Sequence, residues 1–209
     1  MKIELFVENP IQTNCWVLID EDSKDAIIID LGGGYKKIFE YIKKQGGTLK
    51  YILCTHGHFD HVMGVAEMQQ DGVDIPVYMN EKDYYLTKNI NDMYEMFTGQ
   101  RGSFAPIKIA KFIDENTELK IGKHKIQIIE TPGHTKGGMC FLIDQFLFSG
   151  DSLFCENIGR CDLEGGNYET LIKSLKEKIL PLSEEIEVFP GHDTSTTMKH
   201  EKAYNPYLK

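Results

Sequence analysis

Between Thr55 and His61 the chain reads Thr-His-Gly-His-Phe-Asp-His, which gathers His56, His58, Asp60 and His61 into six consecutive residues. Imidazole nitrogens and carboxylate oxygens are the donors that hold zinc, iron or manganese when no thiolate takes part. Two later segments have the same character, Thr131-Pro132-Gly133-His134 and Pro190-Gly191-His192, and Gly150-Asp151 adds another carboxylate. This set exceeds the four ligands of one tetrahedral ion, so two divalent ions fit it better. The natural division puts His56, His58 and His134 on one ion and Asp60, His61 and His192 on the other, with Asp151 bridging. Zinc is the first candidate, with iron or manganese as alternatives. Two cations flanking one water lower its pKa towards neutrality and make a nucleophile for hydrolysis, a role that assigns Asp60 and Asp151 to catalysis as well as to metal binding. No Ser-His or Cys-His pair competes for that role.

Each ligand group follows a strand-like run. Tyr51 to Cys54 precedes His56, Lys125 to Glu130 precedes His134, Phe146 to Phe148 precedes Asp151, and Ile186 to Phe189 precedes His192. If these strands share a direction, their C-terminal ends present every ligand at one edge, on loops outside the core. Ile3 to Val7, Cys15 to Ile19, Ala26 to Ile29 and Met139 to Ile143 are further β-favouring runs. Helical patterns occupy Tyr35 to Gln45, Val62 to Gln70, Glu81 to Phe97 and Tyr168 to Ile179, and the tail after Met198 is expected to be helix or coil. Strands followed by helices, twice over, predict an α/β architecture of two sheets packed face to face with helices outside. Glu81 to Ser103, with Tyr84, Tyr85, Tyr94 and Phe97, is either a substrate-facing lid or an outer helix packing its aromatics inward.

Composition narrows the function classes. The 209 residues carry a net charge of -9, with 32 acidic and 23 basic side chains, and no basic stripe to meet a phosphate backbone, which argues against nucleic acid. The N-terminus lacks a signal-peptide core and no apolar run is long enough for a membrane span, so a cytoplasmic protein acting on a small molecule is expected. Cys15, Cys54, Cys140, Cys155 and Cys161 are odd in number and form no C-x-x-C pair, which fits reduced, buried thiols. No linker or repeat divides the chain, so one domain spanning 1-209 is expected, with the oligomeric state left open. His124 and His200 fall outside the ligand pattern and are expected to be surface or structural residues.

The pattern H-x-H-x-D-H, then His, Asp and His, resembles that of the metallo-β-lactamase superfamily. Within it, Gly150-Asp151-Ser152-Leu153-Phe154, the run Ile158 to Gly166, and Pro190-Gly191-His192 followed by Thr196-Thr197 and Asn205-Pro206 are similar to the glyoxalase II-like hydrolases. The resemblance implies an αβ/βα four-layer sandwich with two mixed β-sheets. It further implies a hydroxide held between the ions, hydrolysis of thioesters such as S-lactoylglutathione, and an Asp30 that steadies a ligand His. Full-length glyoxalase II enzymes add a C-terminal helical domain with basic residues for glutathione, whereas this sequence ends at Lys209. Lys136, Arg160 and Lys199 are therefore the candidate anchors for an anionic substrate. The alternative in another reaction class is a persulfide dioxygenase on the same fold, with a single iron on His56, His134 and Asp151. A nuclease, a β-lactamase and a non-catalytic binding module fit the sequence less well.

Overall fold

The computed structural model describes residues 1–209, and its first half builds one sheet. Strands β1 (Lys2–Phe6), β2 (Cys15–Ile19) and β3 (Asp25–Ile29) pair antiparallel, and β4 (Thr48–Leu53), β5 (Val77–Met79) and β6 (Lys111–Phe112) then add in parallel, in the order β1-β2-β3-β4-β5-β6. The second sheet contains β7 (Leu119–Ile121), β8 (His124–Glu130), β9 (Met139–Ile143) and β10 (Phe146–Gly150). A small hairpin of β11 (Leu153–Phe154) and β12 (Asn157–Ile158) follows, and β13 (Glu187–Pro190) and β14 (Thr196–Thr197) complete that sheet in the order β14-β13-β10-β9-β8-β7.

Alternation along the strands sorts the core into three slabs. In β2 and β3, Trp16, Leu18, Ile27 and Ile29 face the second sheet and meet Ile126, Ile128, Phe141, Ile143 and Phe148. Their neighbours Val17, Ile19, Ala26 and Ile28 face the other way, onto helices α1 (Tyr35–Lys44), α2 (Phe59–Gln70) and α3 (Ile90–Thr98). On the far side, Cys140, Leu147 and Val188 cover Leu171 of α4 (Tyr168–Ser174), Leu175 and Ile179 of the π turn that extends it, and Met198 of α5 (Met198–Tyr204). Helices, sheet, sheet and helices are thus the four layers expected. No helix is long and apolar enough to cross a membrane.

Strands β8, β10 and β13 run in the same direction, because β9 is antiparallel to both β8 and β10 while β13 is parallel to β10. Their ends therefore deliver His134, Asp151 and His192 to one edge, as the sequence predicts. Two expectations need correction. The helix after β4 starts at Phe59 rather than Val62, so Asp60 and His61 sit in its first turn and not on a loop outside the core; His61 is completely buried and Asp60 only 6% exposed. An acidic residue in the first turn faces the positive end of the helix dipole, which favours the earlier start. Glu81 to Phe97 is likewise not one helix but two short 3-10 turns, Glu81–Asp83 and Leu86–Asn89, followed by α3. The Asn80 side chain caps Lys82 N–H there, while Asp83 is drawn away to the ligand loops. Strands of two or three residues, such as β6 and β14, are too short to leave a period in the sequence.

Candidate metal centre

His56 and His58 occupy the turn between β4 and α2, one residue apart around Gly57. His58 Nδ1 lies 3.1 Å from His56 Nε2 and 2.9 Å from His134 Nε2. A second triad adjoins it: His61 Nε2 is 3.4 Å from Asp60 Oδ2 and 3.4 Å from His192 Nε2, and His192 Nε2 is 3.2 Å from Asp60 Oδ2. Between them stands Asp151, whose Oδ1 is 3.3 Å from His61 Nε2 and whose Oδ2 is 3.5 Å from His134 Nε2 and 3.6 Å from His192 Nε2. Ligand atoms about 2.0 to 2.1 Å from a tetrahedral ion lie about 3.3 Å from one another, so these spacings match the edges of two such polyhedra. All seven predicted ligands converge in the division expected.

The hydrogen bonds behind the ligands fix which nitrogen faces inward. Asp30 Oδ2 accepts from His61 Nδ1 at 2.9 Å, leaving the Nε2 lone pair to the centre. The carbonyl of Arg160 accepts from His134 Nδ1 at 2.6 Å with the same effect. Thr55 Oγ1 donates to Asp30 Oδ2 at 2.6 Å, so its own lone pair accepts from His56 Nδ1 at 3.0 Å. Asp60 is held by Thr13 Oγ1, which donates to its Oδ2 at 2.7 Å. Gly191 leaves room for the group, since a Cβ there would stand 2.3 Å from Asp151 Oδ1.

Two buried polar atoms, His58 Nε2 and Asp151 Oδ1, have no hydrogen-bond partner. Burial first, and His134 next, push His58 down to about 3, and burial with His61 holds His56 well below the usual imidazole range. These rings therefore decline protons while their nitrogens converge. The carboxylates attract positive charge instead. Burial alone would raise Asp60, yet His61 and His192 bring it down to about 2, and His61 outweighs burial to hold Asp151 well below the carboxylate range. Burial opposes charge on His61, but Asp60, Asp151 and Asp30 together hold its pKa well above the usual value. Unprotonated nitrogens and ionised carboxylates facing one another fit divalent cations, and this donor set contains no thiolate.

Asp30 lies where the resemblance predicts, against His61. Sequence reasoning missed Thr55, Thr13 and Asp83. Asp83 is fully buried and ties the two loops of the three-His triad together. Its Oδ2 accepts from Gly57 N–H at 3.1 Å and from Thr135 Oγ1 at 2.6 Å, and its Oδ1 accepts from Gly137 N–H at 2.6 Å. Thr55 adjoins the motif and was within reach of a search for hydroxyls beside ligands; Thr13 and Asp83 lie in segments with no such signal. Of the candidate anchors, Arg160 lines the cleft beside the triads, Lys136 stands over the ring of Tyr85, and Lys199 is exposed on α5 away from that cleft. His124 pairs with Asp20 and Asp144, and His200 with Glu156, both outside the triads.

A profile of the metallo-beta-lactamase superfamily matches residues 9–192. Hydroxyacylglutathione hydrolase GloC of Haemophilus influenzae is 38% identical over 211 residues, covering 100% of this chain and 98% of that protein. The probable metallo-hydrolase YqgX of Bacillus subtilis is also 38% identical, over 213 residues and the same shares. Among solved structures, BLEG-1 B3 metallo-beta-lactamase superposes with a TM-score of 0.86 at 35% identity, covering 100% of both chains. TTHA1623 in a di-iron-bound form also gives 0.86, at 31% identity, over 98% of this chain and 100% of its own.

Proposed function

Since the chain belongs to the metallo-beta-lactamase superfamily, we propose that it is a cytoplasmic metal-dependent hydrolase of thioesters, acting on S-lactoylglutathione or a related small acyl-thiol. The observation that carries this reading is the position of Asp151, one carboxylate lying 3.3 to 3.6 Å from nitrogens of both triads. His56, His58 and His134 would hold one divalent cation and Asp60, His61 and His192 the other, with Asp151 shared. When bound, the ions would supply Lewis acidity and lower the pKa of water towards neutrality. Zinc is the first candidate, and the di-iron form of the relative TTHA1623 makes iron the second.

The remaining work falls to the chain. Asp30, Thr55 and the Arg160 carbonyl keep three imidazoles in the tautomer that faces inward. With the seven ligands committed, the only other ionisable side chain lining the cleft is Arg160, which stays protonated and cannot give a proton to a leaving group. The leaving group must therefore depart as an anion. A thiol, with an ordinary pKa of about 8.5, does this far more readily than an alcohol or an amine. The name of the GloC relative agrees with a thioester substrate, and five free cysteines fit a reducing compartment.

Elemental analysis of untagged protein, followed by S-lactoylglutathione hydrolysis and oxygen consumption on the same sample, tests the reading. Two ions per chain and hydrolysis that is lost on chelation and restored by metal are expected. One iron per chain with thiol-dependent oxygen uptake and no hydrolysis would replace it with the persulfide dioxygenase alternative.

A further inference from the structure

The cleft that opens onto the two triads has a volume of about 330 Å³, near the lower end of small-molecule sites. Apart from the metal ligands, seven hydrophobic side chains and Arg160 line it. Met93 and Phe97 stand one turn apart on α3, Ile11 comes from the loop after β1, and Phe154 and Leu163 close the other side. This wall is preformed. Phe97 packs on Phe59 with ring centroids 5.5 Å apart, and Tyr94 on the same helix meets Phe59 at 6.2 Å. Segment 81–103 is therefore an anchored wall whose aromatics pack inward while one edge of α3 faces the cleft.

The single cation of the wall is already engaged on two sides. Arg160 donates from Nε and Nη2 to the Asp162 carboxylate at 2.7 and 2.8 Å, and its guanidinium lies 5.9 Å from the Phe97 ring centroid. The fork that would clasp a substrate carboxylate is thus occupied, and neither Lys136 nor Lys199 lines the cleft. A glutathione moiety would bring two carboxylates and an ammonium group into a space that offers them no free partner, with the desolvation cost this carries.

Resting on the thioester reading above, we infer that the cleft binds a compact, uncharged apolar acyl group, alkyl or aryl, and that such thioesters are preferred over S-lactoylglutathione. The acyl carbon lies at the triads while its apolar substituent covers Met93, Phe97 and Phe154. The thiol portion points to solvent and contributes little to recognition.

Metal-loaded protein assayed with acetyl, butyryl, hexanoyl and phenylacetyl esters of N-acetylcysteamine, beside S-lactoylglutathione, tests this. A kcat/KM rising about fourfold per methylene, the increment of burying one such group, is expected until the cleft is full, with hexanoyl at least tenfold above S-lactoylglutathione. Phe97→Ser should flatten the dependence on chain length. As a readout independent of turnover, ligand-observed NMR should detect phenylacetamide binding, weakened at least fivefold by Phe97→Ser, and no binding of S-methylglutathione. A flat chain-length series, or a tenfold preference for S-lactoylglutathione, overturns the apolar assignment while leaving the thioesterase reading intact. Hydrolysis of no thioester overturns both.

Discussion

Asp30 and Thr55 are joined twice: Oδ1 of Asp30 accepts from Thr55 N–H at 2.7 Å, and its Oδ2 accepts from Thr55 Oγ1 at 2.6 Å. Asp30 reaches this position with φ of 59°, a left-handed conformation that costs a non-glycine residue about 1 to 2 kcal/mol. Its bonds to Thr55 and His61 offset that cost. Through them one carboxylate orients an imidazole in each triad, His61 directly and His56 by way of the threonine hydroxyl.

Thr55→Val keeps the shape of the side chain and removes the relay. The three-His triad should lose about 10- to 100-fold in metal affinity, read by chelator competition, while the triad of Asp60, His61 and His192 is spared. Thr55→Ser should restore the affinity. Two ions binding to the valine variant as tightly as to the parent would count against the relay.

Asp83→Asn places an amide among three donors, Gly57 N–H, Thr135 Oγ1 and Gly137 N–H. At least one donor then faces another donor in a buried site, at a cost of about 1 to 3 kcal/mol. The expected result is a lower Tm of the metal-free protein together with weaker metal binding at the three-His triad. Because a Cβ on Gly57 would lie 3.2 Å from Asp83 Cβ, little space exists for the loop to relax. Unchanged thermal denaturation and metal content would exclude this role.

His58→Ala and Asp151→Ala should each lower hydrolysis at least about a hundredfold, because each removes a ligand to an ion that the reaction uses. Both should leave a folded metal-free protein. His58 Nε2 and Asp151 Oδ1 have no partner within the protein, so truncation strands no hydrogen bond there. Circular dichroism beside turnover checks the pair, and near-full turnover in either variant contradicts the shared two-ion assignment.

Acid stability has a separate origin. Bonds from the Ser23 hydroxyl and then its backbone N–H bring Asp20 down from its ordinary 3.8 to about 2. A carboxyl whose folded pKa is depressed contributes stability above its ordinary pKa and loses it as pH falls through the folded value. Urea denaturation between pH 5 and 2 should therefore show a steeper loss of stability in the parent than in Asp20→Asn. Parallel curves would assign the acid transition to other groups.

The ligand set was legible in the sequence because all four ligand-bearing segments keep their donors beside apolar strand-like runs, as with Tyr51 to Cys54 before His56. The layered fold was legible for a related reason: strands such as β2 and β9 are long enough to carry alternating faces, and α1 carries an apolar stripe. Short strands, the early start of α2 at Phe59, and the broken segment before α3 were not, since each is set by partners distant in the chain.

What the sequence determined by itself is therefore which atoms can bind metal and which strands lie behind them, since both depend on residue type and local spacing. Tertiary structure alone decided that Asp30 serves both triads, that Asp83 clasps the loops around Gly57 and Thr135, and that Met93, Phe97 and Phe154 form one apolar wall. These are contacts between segments tens of residues apart, and no local period or motif encodes them, because hydrogen bonds and packing act through space once the sheets have closed.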